Sequence, residues 1–176
     1  FLGYGGIDRK DPRFYAAEVL NQILGGDTLS SRLGTEIRDR LGLTYGIYSM
    51  FQAGLAPGPF LITMQTAPED TERAIASTRS LLQQLRERGV TDTEVANAKR
   101  SLTSSYPVEL ADPDNLSGAI LMNAVYGLDI QEIRQYPEKI DAVTPAQVNQ
   151  AVQQLLHPDR LVIVTAGPPV TTKSGQ

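Results

Sequence analysis

Residues 24–49 read LGGDTLSSRLGTEIRDRLGLTYGIYS, and the parsing of this stretch decides the fold. The adjacent glycines Gly25 and Gly26 break the segment before them, because glycine loses the most backbone freedom on entering a helix. A short charged helix follows, from about Ser31 to Arg40, carrying Glu36, Arg38, Asp39 and Arg40. It turns at Gly42, and a Tyr-rich strand with alternating polarity starts at Tyr45. Arg38 closes the helix and Tyr45 opens the strand, so a permanent cation and a phenol can converge on one point.

Outward from this centre, Phe1–Tyr4 reads as a strand. GYGGID resembles a dinucleotide loop but fails the pattern, because Asp8 stands where the last glycine is required. Asp11-Pro12 reads as a helix start with Asp11 as N-cap. Ala16, Leu20, Ile23 and Leu24 then recur at helical spacing. Downstream, Tyr45–Phe51 and Phe60–Gln65 alternate around the turn Gly54–Pro59, which predicts a hairpin. Helices follow. One runs from Glu69 to Arg88, with Ile75, Thr78, Leu82 and Leu85 on one face. Another is opened by the capping box Thr91–Glu94 and is expected to kink or end at Pro107. A third runs from Asp112-Pro113 to Gly127, a short one from Ile130 to Tyr136, and a last one from the capping box at Thr144 to Leu156. Leu161–Val164 (LVIV) is expected to be a buried strand. The order predicts an α+β fold, a mostly antiparallel sheet with helices packed on one face. Residues 1–166 are expected to form a single domain and residues 167–176 a mobile polar tail.

Composition narrows the chemistry. The chain has 176 residues, 41% hydrophobic and 20% charged, which suits one globular domain. A net charge of −4 argues against nucleic-acid binding. No stretch is apolar over the length of a membrane span. Zero cysteines exclude disulfides and thiolate chemistry. The one histidine, His157, sits at the end of a helix, whereas a catalytic zinc takes about three protein ligands with histidine prominent. Beginning at Phe1 within a strand, the sequence is expected to be a piece of something longer.

LNQILGGDTLSSRLGTEIRDRLGLTYGIYS, residues 20–49, resembles the insulinase/pitrilysin-type zinc peptidases, a family that includes the mitochondrial processing peptidases. The resemblance is to their C-terminal, zinc-free half. It extends over the opening strand with Asp11-Pro12, the Gly25-Gly26 to Ser31-Arg32-Leu33 segment, the Arg38 and Tyr45 pair, the PEDTERAI helix after the hairpin and the closing LVIV strand. It implies a metallohydrolase half-domain of the processing-peptidase fold, paired with a companion half that bears the inverted zinc motif H-x-x-E-H. Zinc is then bound by the companion and none by this chain. Arg38 and Tyr45 are implied as catalytic residues that reach across to a peptide substrate. The first helix, FYAAEVLNQIL, has no histidine, so Glu18 is not a metal ligand. The implied activity is zinc-dependent endopeptidase, with this half inactive alone, in a bacterial cytoplasm or periplasm.

Other readings stay open beside it. By pattern alone, Arg38 also fits a surface helix residue near Glu36 and Asp39, and Tyr45 a core aromatic. Tyr48, on the opposite face of its strand, reads as packing. Gly25, Gly26, Ser30 and Ser31 could accept a substrate strand or simply form a helix stop and N-cap. A non-catalytic scaffold or a peptide-binding domain of the same fold is the alternative to a peptidase half.

Overall fold

The structure, a computed structural model, describes residues 1–168. Four strands, β1 (Leu2–Gly5), β2 (Ile47–Phe51), β3 (Pro59–Met64) and β4 (Val162–Ile163), form one antiparallel sheet in the order β2-β3-β1-β4. The predicted hairpin is β2 and β3, in register from Ile47 opposite Met64 to Phe51 opposite Phe60. Alternation sends Ile47, Phe51, Phe60, Ile62 and Leu2 into the core, and leaves Tyr48 exposed on the other face. Tyr48 therefore does not pack as expected.

The helices are α1 (Phe14–Asn21), α2 (Thr71–Arg88), α3 (Asp92–Leu110), α4 (Pro113–Tyr126), α5 (Gln131–Asp141) and α6 (Pro145–Leu155). Leu20 of α1, Leu24 just after it, Leu82 and Leu85 of α2 and Val148 and Val152 of α6 are fully buried in one core shared with the inner face of the sheet. Each such side chain contributes about 1.5–3 kcal/mol of burial. The capping boxes at Thr91 and Thr144 are both formed.

Several local expectations are corrected. Asp11 does not cap α1 directly. Its Oδ1 accepts from Arg13 N at 2.8 Å in a turn one step earlier, and the helix starts at Phe14. Gly25-Gly26 does stop the helix, as expected: α1 passes into a π-helical turn, Gln22–Gly26, in which Gly25 has already left helical geometry at φ −164° and ψ 19°, and Asp27 is extended. α3 runs through Pro107 to Leu110, and Tyr106 stacks on Tyr136 of α5 at 4.3 Å. This tertiary contact at its last turns offsets the bond that proline removes. α5 extends through Pro137 to Asp141. LVIV is an edge strand rather than a buried one: it pairs with β1 alone, and Val162 and Val164 are exposed. Most of the predicted tail, residues 169–176, lies outside the described residues.

Candidate functional site

The segment between α1 and β2 is held by its own short side chains. Asp27 Oδ1 accepts from Leu29 N and Ser30 N, both at 2.8 Å, and from Ser30 Oγ at 3.0 Å. These donors, the Ser30 and Leu29 amides foremost, hold the Asp27 carboxyl below its usual range. Ser31 is fully buried and its Oγ accepts from Gly34 N at 3.2 Å, an N-cap in the ordinary sense. Gly34 has no space for a side chain, since a Cβ would lie 1.8 Å from Thr28 O. The helix Gly34–Arg40 is π-type, with Leu41 N donating to Glu36 O at 3.1 Å. Gly42, at φ +64°, closes it: Gly42 N donates to Arg38 O and Leu43 N to Ile37 O. Ile37 faces the core, fully buried, and Arg40 stands out in solvent in an ion pair with Glu36.

Beyond this helix the chain does not enter a strand at Tyr45, as the pattern suggests. The strand starts at Ile47, and Tyr45 lies on a loop. Two threonines fix that loop. Thr44 Oγ1 lies 2.8 Å from Gly46 O and 2.5 Å from Gln65 O, and Thr66 Oγ1 donates to Leu43 O at 2.6 Å. Tyr45 is 97% exposed, which rules out the core-aromatic reading. Its phenol has no hydrogen-bond partner among the described residues. Arg38 Nε donates to Tyr45 O at 3.1 Å and Arg38 Nη1 to Asp39 Oδ1 at 2.9 Å. The structure thus brings Arg38 and Tyr45 together through the tyrosine's backbone, with the phenol free. Thr44 and Thr66 were not singled out by sequence reasoning. Thr44, directly before Tyr45, could have been; Thr66 carries no local signal.

The other predicted residues divide by burial. Gly25 is buried, and a Cβ there would meet Ser49 N at 2.7 Å, so it lets the π turn press against β2. Ser31 is spent as an N-cap. Gly26 and Ser30 are exposed. A groove of about 580 Å³ lies between the Gly34–Arg40 helix and α2. Ser30, Thr35, Glu36, Arg40 and Gln84 are among its lining residues, whereas Arg38 and Tyr45 lie outside it.

Zinc does not fit the residues present. No group of three His, Cys, Asp or Glu side chains gathers among the described residues. His157 is isolated from any such group, against the ring of Tyr4 at 5.3 Å. Burial, then the nearby charges of Arg160 and Arg86, push its imidazole below the ordinary value. On α1, burial raises Glu18 to about 7, against the opposing charge of Arg9. No helix among the described residues is long and apolar enough to cross a membrane.

Comparison with known proteins agrees with this architecture. Residues 1–102 match the family model described as the peptidase M16 inactive domain. An uncharacterized zinc protease of Streptomyces coelicolor is 31% identical over 156 residues, which is 88% of this chain and 34% of that protein. The mitochondrial-processing peptidase subunit alpha of Caenorhabditis elegans is 27% identical over 165 residues, 88% of this chain and 32% of the other. The crystal structure of a peptidase M16 inactive domain from Pseudomonas fluorescens superposes with a TM-score of 0.83 at 32% identity, covering 95% of this chain and 41% of that one. The chain spans about a third of the length of the curated relatives it matches. With residues 1–102 matching that family model and its four-stranded sheet shared with the Pseudomonas fluorescens domain, this chain belongs to the peptidase M16 family, as the inactive domain.

Proposed function

We propose that this domain is the zinc-free half of a zinc metalloendopeptidase and is inactive alone. It lends Arg38 and Tyr45 to a peptide held against a companion half, which carries H-x-x-E-H and the zinc. The observation that carries the reading is the pair itself: an almost fully exposed phenol on a braced loop, its carbonyl held by the guanidinium one helix end away. The names of the relatives, zinc protease and processing-peptidase subunit, support the same reaction class and a partner.

In this role the Tyr45 hydroxyl donates to the substrate carbonyl oxygen as negative charge develops on it. A donor aimed at the developing oxyanion stabilises the transition state more than the ground state. Arg38 keeps its charge at any working pH. Its Nη2 has no partner among the described residues and is available to a backbone carbonyl of an extended peptide. Gly26 and Ser30, on the exposed side of the same segment, contact the substrate. Gly25 and Ser31 act beneath them by holding the backbone.

The test is turnover of the assembled enzyme with Tyr45→Phe and Arg38→Ala, alongside its zinc content. The expected result is a loss of about a hundredfold or more in kcat for Tyr45→Phe with zinc unchanged. Normal turnover in both variants overturns the assignment.

A further inference from the structure

Helix α4 has the composition of a core helix and no core around it. Not one residue between Asn115 and Leu128 is charged. Leu116, Ile120, Leu121, Met122 and Val125 are all exposed, Leu121 at 62%, and none of the helix's 14 residues is buried. At about 3.6 residues per turn, Leu116 and Ile120 fall on one side, Leu121 and Val125 on the next and Met122 beyond them. Val108, before the helix, and Ile130, after it, are exposed as well. A helix that is apolar around most of its circumference belongs inside a larger body.

Its ends explain why it forms without that burial. Asp112 Oδ1 accepts from Asp114 N at 2.9 Å and from Asn115 N at 3.1 Å, and Pro113 occupies the first turn. Gly127, at φ +62°, caps the other end, with Leu128 N donating to Asn123 O at 2.8 Å. Local signals build the helix, and α3 and α5 support only one side of it.

We propose that this face of α4 is the surface on which the companion half docks, inserting Leu121, Val125 and Met122 into an apolar, uncharged groove of that half. The inference rests on the proposed two-half reading. The occupant is argued from length and charge. The chain spans about a third of its curated relatives and 41% of the solved relative, so most of such a protein lies elsewhere. α4 contains no Lys or Arg, which an interfacial membrane helix carries on its polar face.

The experiment is amide hydrogen exchange over residues 114–126 in the assembled protein, wild type against Leu121→Glu and Leu121→Ala. Leu121 is exposed within this half, so neither change disturbs its own folding. The expected result is α4 amides protected in the assembled wild type and released at least about tenfold by Leu121→Glu, with a smaller release by Leu121→Ala. Exchange in the assembled wild type as fast as in a solvent-exposed helix overturns the proposal. So does a sedimentation result in which Leu121→Glu dissociates two copies of this chain and leaves the contact with the companion intact. Tyr45→Phe in the same preparation separates the two readings. Lost turnover with α4 unprotected removes only the docking surface; normal turnover with α4 protected removes only the catalytic role.

Discussion

Arg38 Nε donates to the carbonyl oxygen of Tyr45 at 3.1 Å, so the cation and the phenol are parts of one braced element. The guanidinium leaves the end of a helix closed by Gly42, and the carbonyl belongs to a loop pinned by Thr44 and Thr66. Removing the arginine therefore takes away a charge and also frees the backbone that aims the tyrosine.

This coupling predicts non-additive losses. Tyr45→Phe deletes only the hydroxyl and lowers kcat/KM of the assembled enzyme by about a hundredfold. Arg38→Ala loosens the loop and, in the proposed role, also removes a substrate contact. The double variant then loses less than the product of the two single losses, because part of the Arg38 effect passes through Tyr45. Arg38→Lys restores little, since an ammonium cannot hold the Tyr45 carbonyl and Asp39 through one planar fork. A double-mutant cycle on kcat/KM is the check, and strict additivity would separate the two roles.

Thr44→Val tests the loop from the other side. The valine keeps the shape and removes the hydroxyl that lies within reach of the Gly46 and Gln65 carbonyls. Stability should fall by about 1 kcal/mol for the lost hydrogen bond. Turnover should fall further than that loss explains, because Tyr45 is the next residue. Urea unfolding and kcat, measured on the same variant, decide it; turnover that stays at the wild-type level argues against loop bracing.

Much of this arrangement was legible in the sequence, and the failures have physical causes. The hairpin was readable because β2 and β3 keep strict alternation, and Thr91 and Thr144 because a capping box is a local motif. The alternation of Tyr45, Ile47 and Ser49 predicts a strand that includes Tyr45. The hydroxyl that ends the pairing comes from Thr44 and reaches residue 65, far along the chain. α3 does not end at Pro107, and LVIV is not buried, because tertiary context outweighs the local signal in both. Stacking on Tyr136 carries α3 past a helix breaker, and the place of LVIV in the sheet, not its apolarity, decides its burial. The Arg38 and Tyr45 pair was visible as two residue types near each other; the contact through the Tyr45 carbonyl was not.

Glycine positions offer a contrast within one fold. Gly34→Ala places a methyl group 1.8 Å from Thr28 O, and the neighbour is backbone that cannot yield easily. The expected cost is about 1–3 kcal/mol of overpacking. Gly118, inside α4, has nothing within 4 Å of a built Cβ. Gly118→Ala should stabilise the domain by about 0.5–1 kcal/mol through helix propensity. Thermal or urea unfolding of both variants is the measurement, and equal effects would contradict the packing around Gly34.

Two carboxyls give the domain opposite pH limbs. Glu18 is raised by burial to about 7 from an ordinary 4.5, so the folded state keeps its proton while the unfolded state gives it up. Stability from this group is fully present below about pH 4.5 and declines as pH rises through 7, by on the order of 3 kcal/mol. Glu94 runs the other way. Burial raises it, but hydrogen bonds from Arg32 and Thr91 outweigh that and hold it at about 2. Its contribution is present above the ordinary value and is lost as pH falls through 2. Glu18→Gln should therefore flatten the neutral limb and leave the acid limb, whereas Arg32→Ala should weaken the acid limb alone. Urea unfolding from pH 3 to pH 8 distinguishes them: a neutral limb that survives Glu18→Gln would assign it to another group, and an acid limb untouched by Arg32→Ala would detach it from the Arg32–Glu94 pair.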